Sequence, residues 1–171
     1  AELMAYTATE LDNNKLYFLI QALTRTEDEE ERASFMADLE GDFAPSPLIK
    51  RSYRRINRTP AKFSENFSKT KHWHDYYFFM SHFFHQLGYD GWLILLDEAE
   101  LIGRMGKKTR AKSYARMQQF LKPDPRLEET VTLLAFSASY EEDVIQKRKE
   151  FQSVVDVFGP DTEECRAATG V

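Results

Sequence analysis

The sequence predicts an α/β fold, a mainly parallel sheet flanked by helices, from three observations. Two apolar runs, Trp92-Leu93-Ile94-Leu95-Leu96 and Thr130-Val131-Thr132-Leu133-Leu134-Ala135-Phe136, are each closed by polar residues, the pattern of strands buried on both faces of a parallel sheet. Between them, Lys107 to Leu121 has helical periodicity, with Ala111, Tyr114, Met117, Phe120 and Leu121 as its inner stripe. Strand, helix and strand then form a βαβ unit whose crossover is expected to be right-handed. The 171 residues are 42% hydrophobic and 13% aromatic, enough to bury a core of one domain.

The flanking elements follow in order. Glu2 to Thr9 is short and mixed, and reads as the end of a strand. Thr9 or Asp12 is placed to cap a helix from Asn14 to Thr24, where Leu16, Leu19, Ile20 and Leu23 recur at helical spacing. The acidic block Glu27-Asp28-Glu29-Glu30-Glu31 suits the first turn of the next helix, where negative charge meets the positive end of the helix dipole. Gly41 to Pro47 breaks the chain, so residues 14–58 read as a helical segment with a Gly/Pro break. A basic stretch follows, Lys50, Arg51, Arg54, Arg55 and Arg58; it reads either as a solvated helix face or as a phosphate- or nucleic-acid-contacting surface.

The segment 72–158 opens with the clearest helix, His72 to Leu87, where Trp73, Tyr76, Tyr77, Met80, Phe83, Phe84 and Leu87 recur at intervals of three and four. All four histidines lie here; His82 and His85 are close enough to share a metal, but two imidazoles without a nearby Cys make a weak site. Gly88 suits the left-handed cap position at the helix end. Glu141 to Phe158 reads as a last helix, with Val144, Ile145, Phe151, Val154, Val155 and Phe158 inward, stopped by Gly159-Pro160.

A net charge of −5 does not describe a dedicated nucleic-acid binder, although local basic patches remain compatible with it. The single Cys165 excludes an intramolecular disulfide framework and a multi-cysteine zinc site, and a reducing, cytoplasmic location is expected. No apolar run approaches the roughly 20 residues of a membrane span, and Ala1-Glu2-Leu3-Met4 lacks the basic start of a secretory leader.

Ligands of open α/β sheets sit beyond the carboxyl ends of the strands, and Asp97, Glu98, Ser137 and Ser139 fall at that edge. A carboxylate at a strand tip can hold Mg²⁺, usually through water, because a hard cation prefers oxygen. A second carboxylate beside it can orient and deprotonate the water that attacks a γ-phosphate, and a neighbouring hydroxyl can bond that water or a phosphate oxygen. The plainer alternative is that Asp97 only caps the Ala99-Glu100-Leu101 segment.

Gly91-Trp92-Leu93-Ile94-Leu95-Leu96-Asp97-Glu98-Ala99-Glu100 resembles the Walker B region of an AAA-type P-loop NTPase. More narrowly, His85 to Tyr140 is similar to the ATP-binding domain of bacteriophage-exclusion (BREX) defence systems and related bacterial ATPases. The likeness is carried by Leu87-Gly88-Tyr89-Asp90-Gly91, the acidic strand end, the Arg110 to Leu121 helix and Leu133-Leu134-Ala135-Phe136-Ser137. The resemblance implies a partial P-loop NTPase-like sheet that binds ATP with Mg²⁺. Asp97 would be the Mg²⁺-linked carboxylate, Glu98 the catalytic base, and Ser137, or else Ser139, the first sensor. It also implies a nucleotide partner; homo-oligomeric or defence-complex assembly and contact with DNA are compatible with it, and the sequence does not decide between them.

The sequence departs from that family in one respect. A phosphate-binding loop needs Gly-x-x-x-x-Gly-Lys-Ser/Thr, and none of the seven glycines is so placed. Gly103-Arg104-Met105-Gly106-Lys107-Lys108-Thr109 follows the acidic strand, lacks the spacing, and reads as a loop at the ligand edge. The expectation is therefore a single, truncated ATPase-type domain over residues 1–171, inactive alone, whose phosphate loop would lie upstream of Ala1. Arg110, Arg116 and Arg148 could each contact phosphate, or lie on helix surfaces. The competing reading is a non-catalytic α/β interaction domain that uses the basic stretch or the aromatic helix to bind a protein or nucleic-acid partner.

Overall fold

The computed structural model describes residues 2–121, 124–127 and 129–169, in two compact units, Ala1–Tyr89 and Asp90–Val171. Among the described residues no helix is long and apolar enough to cross a membrane.

The elements of the first unit are helices: α1 (Glu2–Thr9), α2 (Lys15–Leu23), α3 (Glu29–Ala37), α4 (Ser46–Asn57) and α5 (His74–Gln86), with 58–73 as an irregular connection. The opening segment is thus a helix and not a strand end; Thr7 is fully buried and its hydroxyl returns to the carbonyls of Leu3 and Met4. Neither Thr9 nor Asp12 caps α2. The residue before it is Asn14, and Asn13 Oδ1 accepts the Lys15 N–H at 2.9 Å. Asp12 instead meets His74 Nε2 at 2.9 Å, while the Asp12 and Asn13 N–H groups donate to the two oxygens of buried Asp75, each at 2.9 Å. Burial pushes the Asp75 carboxyl above its ordinary value against these two bonds.

Lys15, at the head of α2, is fully buried, and sequence periodicity does not mark it. Its ammonium donates to Asp38 Oδ2 at 2.5 Å and to the Tyr76 hydroxyl at 3.0 Å, and it lies 4.2 Å from the centre of the Phe67 ring. Tyr76 in turn donates to Asp38 Oδ1 at 2.5 Å. Burial drives the Lys15 ammonium below its ordinary value, and Asp38 opposes that shift. An isolated charge here would be costly, so the paired carboxylate and the ring faces are conditions for the lysine to be inside.

The acidic block does start α3, with Asp28 accepting from the N–H groups of Glu30 and Glu31. Glu31, however, is buried: Ser52 Oγ and Arg55 Nη2 both donate to its Oε2 at 2.7 Å. α3 ends in a π-helical turn, Asp38–Asp42, and Pro45 then precedes α4. On α5 the inward face is Asp75, Tyr76, Phe78, Phe79 and Ser81, so the expected stripe is shifted and Leu87 is exposed. Gly88 takes the left-handed cap (φ 86), with its N–H on His85 O at 2.9 Å.

The second unit holds β1 (Trp92–Leu96), a 3₁₀ segment (Ala99–Arg104), α6 (Lys107–Leu121), β2 (Thr130–Leu134), a π-helical turn (Glu141–Gln146), α7 (Phe151–Phe158) and α8 (Glu163–Thr169). The strands pair in parallel, from Trp92 opposite Thr130 to Leu96 opposite Leu134. The final helix is interrupted, because Lys149 takes φ 55 between the turn and α7, and Phe151 is exposed. The core gathers Tyr114 and Met117 of α6 with Tyr140, Val144, Val154 and Phe158, and Leu134 and Phe136 pack against it. On α6 Tyr114 and Met117 are buried as expected, but Arg110 is buried in place of Ala111, which is exposed.

The mixed helix-and-strand architecture with a parallel pair is as expected, but the strands are not buried on both faces. Ile94 is buried, whereas Leu93 (54% exposed), Leu95 (66%), Val131 (59%) and Leu133 (54%) are open. Successive side chains alternate across a sheet, and Leu93 opposes Val131 while Leu95 opposes Leu133. The four therefore share one uncovered face. An apolar run records that a strand suits a buried environment; it does not say whether a second layer lies within the same stretch of chain.

Asp38→Asn leaves the Lys15 charge buried without its carboxylate, and urea denaturation should show a loss of about 3 kcal/mol or more; a loss under about 1 kcal/mol would show that the ammonium is not confined as described. At Gly91 (φ 157) an added Cβ would lie 2.0 Å from the Glu129 carbonyl oxygen, whereas at Gly88 it meets nothing within 4 Å. Gly91→Ala should therefore lower the denaturation midpoint well beyond Gly88→Ala, whose cost is the roughly 1 kcal/mol of a left-handed non-glycine; equal midpoints would contradict the close approach.

Candidate functional site

The parallel register brings both strand ends to one edge. Two further backbone bonds extend the ladder there: Ala135 N–H donates to Leu96 O, and Ala99 N–H donates to Ala135 O, each at 2.9 Å. Both polar backbone groups of Ala135 are held by residues three apart, so Asp97 and Glu98 must bulge out between them. The bulge closes through Glu98, which takes the left-handed conformation (φ 53, ψ 35). That conformation costs a residue with a Cβ about 1–2 kcal/mol and is a kind of strain common at functional sites. Asp97 Oδ1 accepts the Glu98 N–H at 2.8 Å, giving the strained peptide a local partner. Both side chains are exposed. Asp97 does not cap the 3₁₀ segment with its side chain; Glu98 occupies the position before it and makes no side-chain cap bond either.

The second strand contributes exposed hydroxyls to the same edge. Ser137 Oγ and Ser139 Oγ lie 3.2 Å apart, and either can donate to the other. Their backbone is fixed from behind, with Tyr140 N–H on Ser137 O at 3.0 Å and Asp143 N–H on Ser139 O at 2.8 Å. Glu100 completes the edge, its Oε2 accepting the Ser137 N–H at 3.1 Å. Backbone N–H groups, its own and that of Ser137, hold the Glu100 carboxyl below its ordinary value. Sequence reasoning passes over Glu100 as a site residue although it stands two places after Glu98 in the same acidic run; the signal was there, but its partner became visible only when the strands paired.

Beneath this edge, the Tyr114 and Tyr140 hydroxyls meet at 2.9 Å, and burial pushes both phenols above their ordinary values. Arg110 donates to Glu150 Oε1 and to Met105 O, each at 2.5 Å. Arg110 is therefore a buried structural cation and not an arginine at the ligand edge, while Arg116 and Arg148 are exposed. Gly103 to Thr109 is not an open loop: Gly103 packs against Val144 at the end of the 3₁₀ segment, and α6 has begun by Lys107.

The donors gathered at the edge are oxygens only, the carboxylates of Asp97, Glu98 and Glu100 and the hydroxyls of Ser137 and Ser139. Oxygen is the donor a hard cation prefers, but the ligand atoms of Asp97, Glu98 and Glu100 do not converge within 4.8 Å of one another. The His82–His85 pair makes no metal-ligating cluster either. His82 stacks on Tyr6 with ring centres 4.0 Å apart, and His85 is exposed at the end of α5. Among the described residues, the group of three whose ligand atoms lie within 4.8 Å is Asp12, His74 and Asp75. Asp75 there already accepts two N–H groups.

Residues 12–139 match a family model described as BREX system ATP-binding protein BrxC/D. No curated protein and no solved structure matches the chain.

The strained bulge yields a stability ordering. Because residue 98 sits in the left-handed region, Glu98→Gly should be more stable than Glu98→Ala by about 1 kcal/mol in denaturant unfolding. The reverse order, normal for a helix or strand interior, would show that the two bonds to Ala135 do not force this backbone.

Proposed function

The chain belongs to the BREX system ATP-binding protein BrxC/D family, and on that footing we propose that it supplies the acidic strand end and first sensor of an ATP-hydrolysing module. The observation that carries this reading is the double clamp on Ala135, which leaves Asp97 and Glu98 exposed at the strand-end edge that also carries Ser137 and Ser139. Asp97 would hold Mg²⁺ through water, and the bound ion would neutralise charge on the phosphates.

 Glu98, exposed in the bulge, would accept the proton of the attacking water. Ser137, or Ser139 through the hydroxyl contact between them, would bond that water or a phosphate oxygen as the sensor. Glu100 would act one step removed, fixing the Ser137 backbone without touching nucleotide.

The phosphate cradle would come from chain other than this one, since no Gly-x-x-x-x-Gly-Lys-Ser/Thr is present. The uncovered sheet face supports the same reading. A parallel pair of two strands is less than independent stability usually needs, and parallel sheets are normally covered on both sides. Leu93, Leu95, Val131 and Leu133 are therefore read as the surface on which the remaining layer of the module packs.

The test uses a protein that carries this chain together with a glycine-rich Lys-Ser/Thr loop. Glu98→Gln should leave ATP affinity within about threefold and lower turnover by about 10²–10⁴, the usual contribution of a positioned base. Undiminished turnover would remove Glu98 from that role. The absence of any thermal stabilisation by Mg²⁺ and ATP would favour a non-catalytic interaction domain, because a ligand that binds only the native state must stabilise it.

A further inference from the structure

Between Asp42 and Glu65 the chain carries six cations, Lys50, Arg51, Arg54, Arg55, Arg58 and Lys62, and no acidic residue, although the net charge of the whole is −5. Five of the six stand on α4 or at its C-terminal cap. At about 100° per residue, they fall within an arc of roughly 140° on that helix. The opposite side, Ile49, Ser52 and Tyr53, is buried. Helix formation and packing of α4 therefore sort the charge onto one exposed face.

That face is shaped as well as charged. The five side chains, with Pro60 and Ala61, line an open hollow of ≈ 610 Å³. Arg55 is fixed at one margin by Glu31, at 2.7 Å, and Lys50 at another by the Phe63 ring, 4.5 Å from its ammonium. Among the described residues no carboxylate pairs with Lys50, Arg51, Arg54 or Arg58. A solvated helix face usually interleaves both signs, so four cations left without acidic partners need a different account.

We propose that the α4 face binds the phosphodiester backbone of a nucleic acid, without reading its sequence. Lys50 and Arg58 are separated by about 12 Å along the helix axis at roughly 1.5 Å per residue, the axial span of three to four phosphates on one duplex strand. Guanidinium groups present paired N–H donors that match phosphate oxygens two at a time. An acidic peptide is the weaker fit, because recognition of a peptide also needs pockets for its side chains, and Pro60 and Ala61 are the apolar residues among those that line the hollow. This site is independent of the carboxylate edge and needs no ATP.

The experiment is fluorescence anisotropy of the 171-residue chain with a labelled duplex of ~20 base pairs, without nucleotide, as NaCl rises from about 50 to about 200 mM. Four phosphate contacts should give a log–log salt slope near −3.6, at about −0.9 per contact. Arg51→Gln with Arg54→Gln should weaken binding at least tenfold and make the slope shallower by about 2, with an unchanged thermal melt because both side chains are exposed. Arg58→Gln alone should make the slope shallower by about 1, which keeps the test open should the double variant fold poorly. No binding at the lowest salt, or variants that bind with unchanged affinity and slope, would overturn the proposal. Capture of a polyglutamate peptide in place of the duplex would also overturn it, and would assign the face to acidic peptides. None of these outcomes bears on Glu98 or ATP turnover, so this proposal and the ATPase reading fail separately.

Discussion

The two hydrogen bonds on Ala135 are the constraint from which the carboxylate edge follows. Leu96 O and Ala99 N occupy both polar backbone groups of one residue, leaving the intervening Asp97 and Glu98 no place in the ladder. Their exposure, the left-handed turn at Glu98 and the Asp97 bond to the Glu98 N–H are all consequences of closing that short path. The same closure starts the 3₁₀ segment at Ala99, and that start brings Glu100 within reach of the Ser137 N–H. One local clamp thus sets the positions of three carboxylates and one hydroxyl-bearing backbone.

Buried charge imposes a comparable constraint inside each unit. Lys15 is tolerable in the first unit because Asp38, Tyr76 and the Phe67 face meet it, and Glu31 because Ser52 and Arg55 do. Arg110 and Glu150 satisfy each other in the second. Buried pairs of this kind add little over an apolar core of the same volume, but removing one member is expensive. They therefore act mainly as fixed points. Arg55, held by Glu31, anchors one side of the α4 face, and the Tyr114–Tyr140 hydroxyl contact anchors the helix turn that follows Ser139.

Much of the element pattern was legible because it rests on local rules. The β1 and β2 runs, the α6 span, the acidic start of α3 and the glycine cap at Gly88 depend on short-range periodicity and on backbone freedom. The misplacements have a common origin. Glu2 to Thr9 is too short for its periodicity to distinguish a strand from a helix, the inner face of α5 is shifted around buried Asp75, and α6 opens inward on Arg110 in place of Ala111. A hydrophobicity pattern assigns such residues to solvent; here partners distant in sequence, the 12–13 turn and Glu150, bring them inside.

The sequence by itself determined that two apolar runs would be strands, that each would end in oxygen-bearing side chains, and that Lys50 to Arg58 would concentrate positive charge. Those are properties of neighbours along the chain. Tertiary structure decided the rest: that the strands pair in parallel with Leu96 opposite Leu134, that Glu100 joins the edge while Arg110 leaves it, and that one sheet face stays open. Each of these is a contact between residues tens of positions apart. No periodicity encodes such a contact, because its energy exists only once both partners have been brought together and their water removed.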